Sequence, residues 1–440
     1  MKWKDWDRNL KVRLLGEFMI NLLFWMFFPY MAIYFADSLG KEQAGILLVI
    51  SQLVGVLTNL IGGYCADQYG RKKMMFIAAA GQTVAFGVFA LANSPWLDSP
   101  VLTFIGFTAL GLFGSLYWPA SHAMVADVVS EKNRNEVFAV FYTSINISVV
   151  FGPALGSIFF FNNRFELLLA CMIVSFILTI VLKKYIRETV PKRAPEVEKK
   201  QLQKKTWRTV IGGQLQDYRV IATDRKFLLF ILAGILVAQT FMQLDLLIAV
   251  YTTEQVPTQS LFSFGNWSLM LSGKELFGYI VSANGLLVAL LTVFMSKWIN
   301  KYKEGNVFVI SSLLYGVGIL LYGNTTLIWL LFMGIVIFTI AELMVVGIQE
   351  SFISQLAPEH MRGQYFAAAG LRFSIGRAIA PLAIPLTIWI GYQWTFFILF
   401  LLTIVAAYLY RLMFKMMDRY KGQQQGREVT STMKEEVVMK

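Results

Sequence analysis

Phe165-Glu-Leu-Leu-Leu-Ala-Cys-Met-Ile-Val-Ser-Phe-Ile-Leu-Thr-Ile-Val-Leu182, followed at once by Lys183 and Lys184, is the stretch that decides the fold. One acid stands near its head, and the rest is apolar or hydroxylic. About 20 mainly apolar residues, wound as a helix, cross the roughly 30 Å of hydrocarbon in a bilayer. The segment therefore predicts a membrane span that ends at a basic interface. Similar runs flank it: 13–36, 42–66, 74–92, 100–128 and 137–161 before it, and 227–251, 277–299, 306–323, 325–356, 364–389 and 391–414 after it. Closed barrels also satisfy the backbone in lipid, but they are built from short alternating strands. These runs are continuously apolar, which predicts an all-α integral membrane protein of twelve transmembrane helices.

Composition agrees. Of 440 residues, 57% are hydrophobic and 15% charged, with a mean hydropathy of +0.58. Soluble domains carry about 25% charged residues, so a soluble globular protein, a disordered chain and a coiled coil are excluded. The longest non-membrane part, 183–226, divides the spans six and six. The expected organisation is an N-terminal half (1–182), a central loop (183–226), a C-terminal half (227–415) and a tail (416–440).

The net charge of +12 suggests nucleic acid until its placement is read. With the N-terminus inside, 34 of the 39 Lys and Arg fall on the inner segments, while the outer loops hold Lys41, Arg164 and Lys274. Arg372 and Arg377 lie within a span. This asymmetry is a positive-inside signal. It predicts both termini and the central loop in the cytoplasm and contact with anionic lipid heads, and it removes nucleic acid as a partner.

An internal repeat fits the six-plus-six division. An offset of 228, from residues 131–139 to 359–367, carries Glu131 onto Glu359, Arg134 onto Arg362, Phe138 onto Phe366 and, further on, Pro153 onto Pro381. Near the head of each half, Ala32 and Tyr34 land on Ala249 and Tyr251.

Two motifs follow. Gly63-Tyr64-Cys65-Ala66-Asp67-Gln68-Tyr69-Gly70-Arg71-Lys72-Lys73 resembles the loop 2–3 signature of the major facilitator superfamily, with Gln68 in place of an arginine. Gly152-Pro153-Ala154-Leu155-Gly156-Ser157 resembles the fifth-helix signature of antiporters in that family, with Ser157 in place of the last glycine. Proline bends a membrane helix, and glycines four apart let another backbone approach. The whole chain is similar to the twelve-helix drug/proton antiporters of this superfamily, particularly the proton-driven multidrug exporters of Gram-positive bacteria. The resemblance implies a conformational switch built from Gly63, Asp67, Gly70, Arg71, Asp127, Arg134, Gly152, Pro153 and Gly156. Two family features are missing: Thr103 to Ser115 holds no Lys or Arg, and Val140, Phe141 and Tyr142 stand where some relatives carry an acid.

An ionisable group inside a span is a functional candidate in its own right. Insertion costs about 2.5–3.5 kcal/mol on translocon scales, so the group persists only with a partner, a cavity or a task. Glu342 sits mid-run with no Lys or Arg within ten residues; desolvation there sets its charged and neutral forms in competition, which suits proton exchange. Asp245 lies beside Gln239 and Gln243. Glu17 follows Arg13 by four residues, the spacing of a helical ion pair. These three acids are the candidates for proton coupling, and Glu350 reads as structural. Asp245, Glu342, Tyr34, Tyr142, Phe241 and Arg372 are the candidates for substrate binding. Aromatics would hold a flat lipophilic cation by apolar contact and cation–π attraction; Tyr30, Phe35, Tyr117, Trp118 and Phe141 are further cavity candidates.

Enzyme chemistry finds no support. Gly273-Lys274 lacks the rest of a phosphate loop, and no Gly-x-Ser-x-Gly occurs. Cys65 and Cys171 make neither a disulfide framework nor a metal cluster, and His122 and His360 are far apart. No cofactor or metal is expected; a proton gradient is the energy source. The expected function is proton-coupled export of lipophilic or cationic drugs by alternating access, from a monomer in the bacterial cytoplasmic membrane. Proton-coupled uptake of peptides or amino acids, and flipping of a lipid-linked substrate, are the alternatives.

Overall fold

The computed structural model describes residues 6–189, 212, 223–264, 267–299, 301–346, 348–356 and 362–438. The central loop expected over 183–226 lies largely outside them.

The first half opens with α1 (Arg8–Phe27), which passes through a 3-10 turn at Phe28–Tyr30 into α2 (Met31–Leu39). Pro29 has no N–H to continue the ladder, which explains the break. Then come α3 (Lys41–Tyr69), α4 (Arg71–Leu91), α5 (Pro100–Val128), α6 (Glu131–Asn162) and α7 (Arg164–Tyr185). The second half repeats the broken opening: α8 (Arg225–Phe241), a 3-10 turn at Met242–Asp245, and α9 (Leu247–Gln255). The Asp224 carboxylate caps α8 by accepting from the Lys226 and Phe227 N–H groups. After it come α10 (Gly273–Ile299), α11 (Glu304–Gly323), α12 (Ile328–Val346), the short α13 (Gln349–Leu356), α14 (Arg362–Ile379) and α15 (Ala383–Val438).

Eleven stretches among the described residues are long and apolar enough to cross a membrane. The last of them, Ala368–Arg419, has 52 residues, about 78 Å of helix at 1.5 Å per residue, far more than one crossing needs. Gly391, at φ +76°, breaks it. The chain leaves one buried cluster at Ala368 and Ala369, enters the opposite cluster at Ala383 and Ile384, and returns through Phe396 and Leu399 to Ala406 and Tyr410. The stretch is a helical hairpin, matching the two apolar runs 364–389 and 391–414.

Helix and strand also form outside the apolar runs. The segment 416–440 continues α15 as helix to Val438. The connection after α9 is not plain loop: β3 (Gln259–Phe264) pairs antiparallel with β4 (Trp267–Leu271), beyond the small ribbon of β1 (Asn93–Ser94) and β2 (Leu97–Asp98). Gly265-Asn266 between β3 and β4 has the composition of a two-residue hairpin turn, a signal the apolar-run reading passes over. Cys65 and Cys171 are free thiols.

The cores show how the halves meet. Call the end holding both chain termini the terminal face and the other the far face. One cluster at the far face draws on both halves: Phe27, Tyr30, Phe35 and Phe89 from the first, Leu247, Ile248, Phe277 and Tyr322 from the second. Towards the terminal face the cores separate. Ala66, Met75, Tyr117 and Leu182 belong to one cluster of the first half, Leu10, Val125 and Phe141 to another, and Phe227, Phe230, Phe308 and Phe352 to a cluster of the second half alone. Two ion pairs also cross between the halves at the far face. Lys41 Nζ lies 2.6 Å from Glu254 and Lys274 Nζ 3.8 Å from Asp37. Tyr392 donates to Glu254 at 2.9 Å. The far face is closed, and the described residues show no shared core at the terminal face.

Candidate functional site

Two cavities meet at Glu342. The larger, about 160 Å³, lies between the halves. Trp25 on α1 and Tyr142 and Asn146 on α6 line it from one side; Phe241, Asp245, Asn284 and Glu342 line it from the other. None of its described lining residues is Lys or Arg.

Local structure aims the acids. Asp245 ends the 3-10 turn that interrupts the first helix of its half, and Leu246 after it is non-helical (φ −119°, ψ −91°). Asp245 Oδ1 is buried and has no hydrogen-bond partner among the described residues. Glu342 sits within α12, one turn after Thr339, so both share a helix face. Asn284 on α10 donates through Nδ2 to Thr339 Oγ1 at 2.9 Å and to Glu342 Oε2 at 3.3 Å. Asp245 and Glu342 line the same cavity. Arg377 on α14 acts on Asp245 electrostatically but does not line the cavity.

The second cavity, about 130 Å³, lies inside the C-terminal half, among α8, α11, α12, α14 and α15. Glu342 and Phe241 line it too, so they form the partition between the two spaces. Its polar wall is Ser311, Ser312, Tyr315, Gln349, Arg372 and Tyr410. Arg372 is only 4% exposed. Its Nε donates to the Ala369 carbonyl at 2.8 Å, and its guanidinium stacks 4.3 Å from the Phe230 ring centre. Gly234 makes room for it: a Cβ there would collide with the Arg372 side chain.

Glu17 stands elsewhere. It is buried with Arg13, 2.9 Å away, and its Oε1 also accepts from Ser121 at 2.7 Å and Tyr117 at 3.1 Å. Arg13 reaches Ser121 as well and stacks 4.7 Å from the Phe141 ring centre. Neither Glu17 nor Arg13 lines either cavity.

Among the aromatic candidates, Tyr142 and Phe241 line cavities, but Tyr34 does not. It is buried in the far-face core, its hydroxyl 3.4 Å from Thr103 Oγ1 and its ring 4.3 Å from the Arg164 guanidinium. Closing the far face requires those rings as packing, which is why Tyr30 and Phe35 are there also.

The switch motifs gather at two places. Gly70 joins α3 to α4 at φ +99°, a conformation that favours glycine. The N–H groups of Arg71 and Lys72 donate to the Glu188 carboxylate at 2.9 and 3.2 Å, which places an anion on the positive end of α4. Arg71 Nε lies 3.3 Å from Asp127. The side chains of Gly63, Asp67, Arg134 and Glu350 lie outside the described residues. On α6, Gly152 faces Trp25, and Gly156 faces the Met26 carbonyl and Tyr30; Tyr30 donates to the Pro153 carbonyl at 2.5 Å. These glycines bring the first and fifth helices into backbone contact.

Sequence reasoning missed Trp25, Asn146, Asn284, Thr339 and Glu188. For the two asparagines a signal existed: an amide inside an apolar run also needs a partner. Glu188 carried none, because a surface acid looks like any other.

Residues 13–273 and 258–437 match the family model described as Major Facilitator Superfamily. The chain is 52% identical over 95% of its length, and over 99% of the relative, to a Na(+), Li(+), K(+)/H(+) antiporter of Planococcus maritimus. It is 23% identical, over 87% of its length and 85% of the relative, to the multidrug resistance protein MdtH of Escherichia coli (strain SE11). A solved POT family transporter in complex with 5-aminolevulinic acid superposes with a TM-score of 0.75 over 93% of this chain and 96% of that one. At 17% identity that likeness speaks for the fold alone.

Proposed function

We propose that this chain, which belongs to the Major Facilitator Superfamily, exchanges protons for monovalent alkali cations at Asp245 and Glu342. Membership makes it a multi-pass secondary transporter rather than an enzyme. The observation that carries the finer reading is the pair of carboxylates facing one cavity between the halves, without Lys or Arg among its described lining residues. Their mutual repulsion is relieved by a proton or by a cation. Alkali ions are hard and take oxygen ligands. The two carboxylates, with the amide oxygens of Asn146 and Asn284, supply such a set. One site that holds either proton or cation, opened in turn to each face, yields obligatory exchange. The relative from Planococcus maritimus, named for Na(+), Li(+) and K(+) against H(+), supports this reading over drug export.

The positive-inside asymmetry makes the terminal face cytoplasmic. The closed far face is then the outer one. Glu17, held by three donors, serves as a structural ion pair in this scheme. The Arg71–Asp127 pair and Glu188 brace the cytoplasmic end of the first half.

A second reading keeps the drug export that the sequence suggested. Trp25, Tyr142 and Phe241 give the cavity three aromatic walls, which suit a lipophilic cation, and MdtH is a relative. One experiment tests both. Everted vesicles are acidified inside and the gradient is followed by a fluorescent probe. Addition of Na+, Li+ or K+ should collapse the gradient with wild type and fail with Glu342→Gln. A gradient that answers only to a lipophilic cation such as tetraphenylphosphonium would select drug export instead.

A further inference from the structure

We propose that Glu342 is served by two routes: cations reach it through the cavity between the halves, and protons reach it from the terminal face through the cavity inside the C-terminal half. The inference rests on the cation/proton reading above and divides its one site into two approaches.

Three observations carry it. First, Glu342 and Phe241 are the residues common to both cavities. The carboxyl therefore stands in a partition, facing Asp245 and Asn284 on one side and Ser311, Tyr315 and Arg372 on the other. Phe241 is held in that wall by stacking on Phe338, centres 6.2 Å apart.

Second, the inner cavity leads away from the space between the halves. Phe308 lies one turn into α11, Gln349 begins α13, and Tyr410 precedes Arg411 on α15. These lining residues lie towards the terminal face within one half, and Asp245 is not among them.

Third, the two linings differ in chemistry. The cavity between the halves offers two carboxylates and two amides. The inner one offers hydroxyls, an amide, one guanidinium and a largely apolar wall. A proton needs only a chain of waters and hydroxyls, and the space is large enough for several waters. A metal cation needs its hydration replaced by oxygens and is repelled by a buried guanidinium. Among the described residues, the charged or titratable groups lining the two cavities with Glu342 are Asp245 and Tyr142 on one side and Tyr315, Tyr410 and Arg372 on the other. Arg372 is thus a positioning and selectivity residue that keeps cations out of the proton route.

The test uses the full chain in proteoliposomes, with Na+ as the cation and a pH-sensitive dye as the readout. Ser312→Leu puts apolar bulk into the inner cavity. Among the described residues, the Ser312 hydroxyl bonds the Phe308 carbonyl of its own helix. The maximal rate of exchange should fall about tenfold while half-saturating Na+ stays constant. An unchanged melting temperature of Ser312→Leu in detergent separates blockage from misfolding. Asn146→Leu, on the other route, should raise half-saturating Na+ and leave the maximal rate. Arg372→Gln should make high Na+ slow the exchange, and Arg372→Lys should not. Ser312→Leu with a wild-type rate, or with half-saturating Na+ raised as much as the rate falls, overturns the two-route scheme. An Na+ curve for Arg372→Gln that matches wild type overturns the role given to Arg372. If wild type itself exchanges no alkali cation, it is the antiport reading that fails, and the two failures are distinguishable.

Discussion

Among the described residues, each half buries one guanidinium between its first and fifth helices, but the partners are exchanged. In the N-terminal half Arg13 on α1 stacks on Phe141 of α6; in the C-terminal half Arg372 on α14 stacks on Phe230 of α8. The surroundings differ more. Arg13 touches the Glu17 carboxylate, Ser121 closes the triangle, and Trp6, Leu10 and Val125 pack the neighbourhood. Arg372 has a cavity between it and Glu342. The same two ingredients, an arginine and an acid in a membrane helix bundle, make a packed ion pair where they touch and line a cavity where space is left between them.

The sharpest way to break this comparison is to neutralise one acid from each half. Glu342→Gln should reduce cation-driven proton exchange to background, since the amide neither releases a proton nor offers a charge to a cation. Exchange at the wild-type rate in everted vesicles would make Glu342 structural and dissolve the contrast.

Glu17 should respond in stability instead. Glu17→Leu alone leaves Arg13 buried without its counter-charge, and breaking such a pair costs about 3–5 kcal/mol. A steep fall in thermal stability in detergent is expected. The double change Arg13→Met with Glu17→Leu should recover most of it, because apolar replacement of a whole buried pair is often neutral or better. A stable Glu17→Leu protein that has lost exchange would instead place Glu17 in the proton path.

A smaller effect should follow at Asp245. Asp245→Asn removes one of two charges from the cavity between the halves. Half-saturating Na+ should rise by roughly tenfold, the equivalent of about 1.4 kcal/mol of lost attraction, with Ser312→Leu additive to it if the routes are separate. Unchanged Na+ dependence would move the cation site away from Asp245.

The smallest effect belongs to the far face. The Lys41–Glu254 and Lys274–Asp37 pairs are partly exposed, and pairs of that kind contribute about 0.2–1 kcal/mol each. Lys41→Ala with Lys274→Ala should shift the population towards an open far face by a few-fold. Spin labels across that face would show a growing long-distance component. No change would mean that the apolar core beneath holds the face shut alone.

Much of this was legible in the residues. The apolar runs and the paired halves needed only hydropathy, because a span is a local property of consecutive residues. Glu342 stood out for the same reason: an acid with no basic residue near it in sequence has few local partners. Arg13 and Glu17 were readable as a pair from their spacing. Tyr34 lies in the far-face core and lines neither cavity; an aromatic in a span looks the same in sequence whether it lines a cavity or closes a face. The β3–β4 hairpin was passed over because its strands are as apolar as the helices beside them.

What the sequence by itself determined is the membrane fold, its division into halves and the identity of the isolated acids. All of these depend on neighbours along the chain. Only the tertiary structure decided that Asn284 holds Glu342, that Glu188 sits on the start of α4, that the far face is closed, and that Glu342 stands between two cavities. Those facts join residues 58 positions apart in one case and 117 in another. Helix packing sets them, through small residues such as Gly156 and Gly234 that let one element approach another. A hydropathy pattern carries no record of which helix will come to lie alongside.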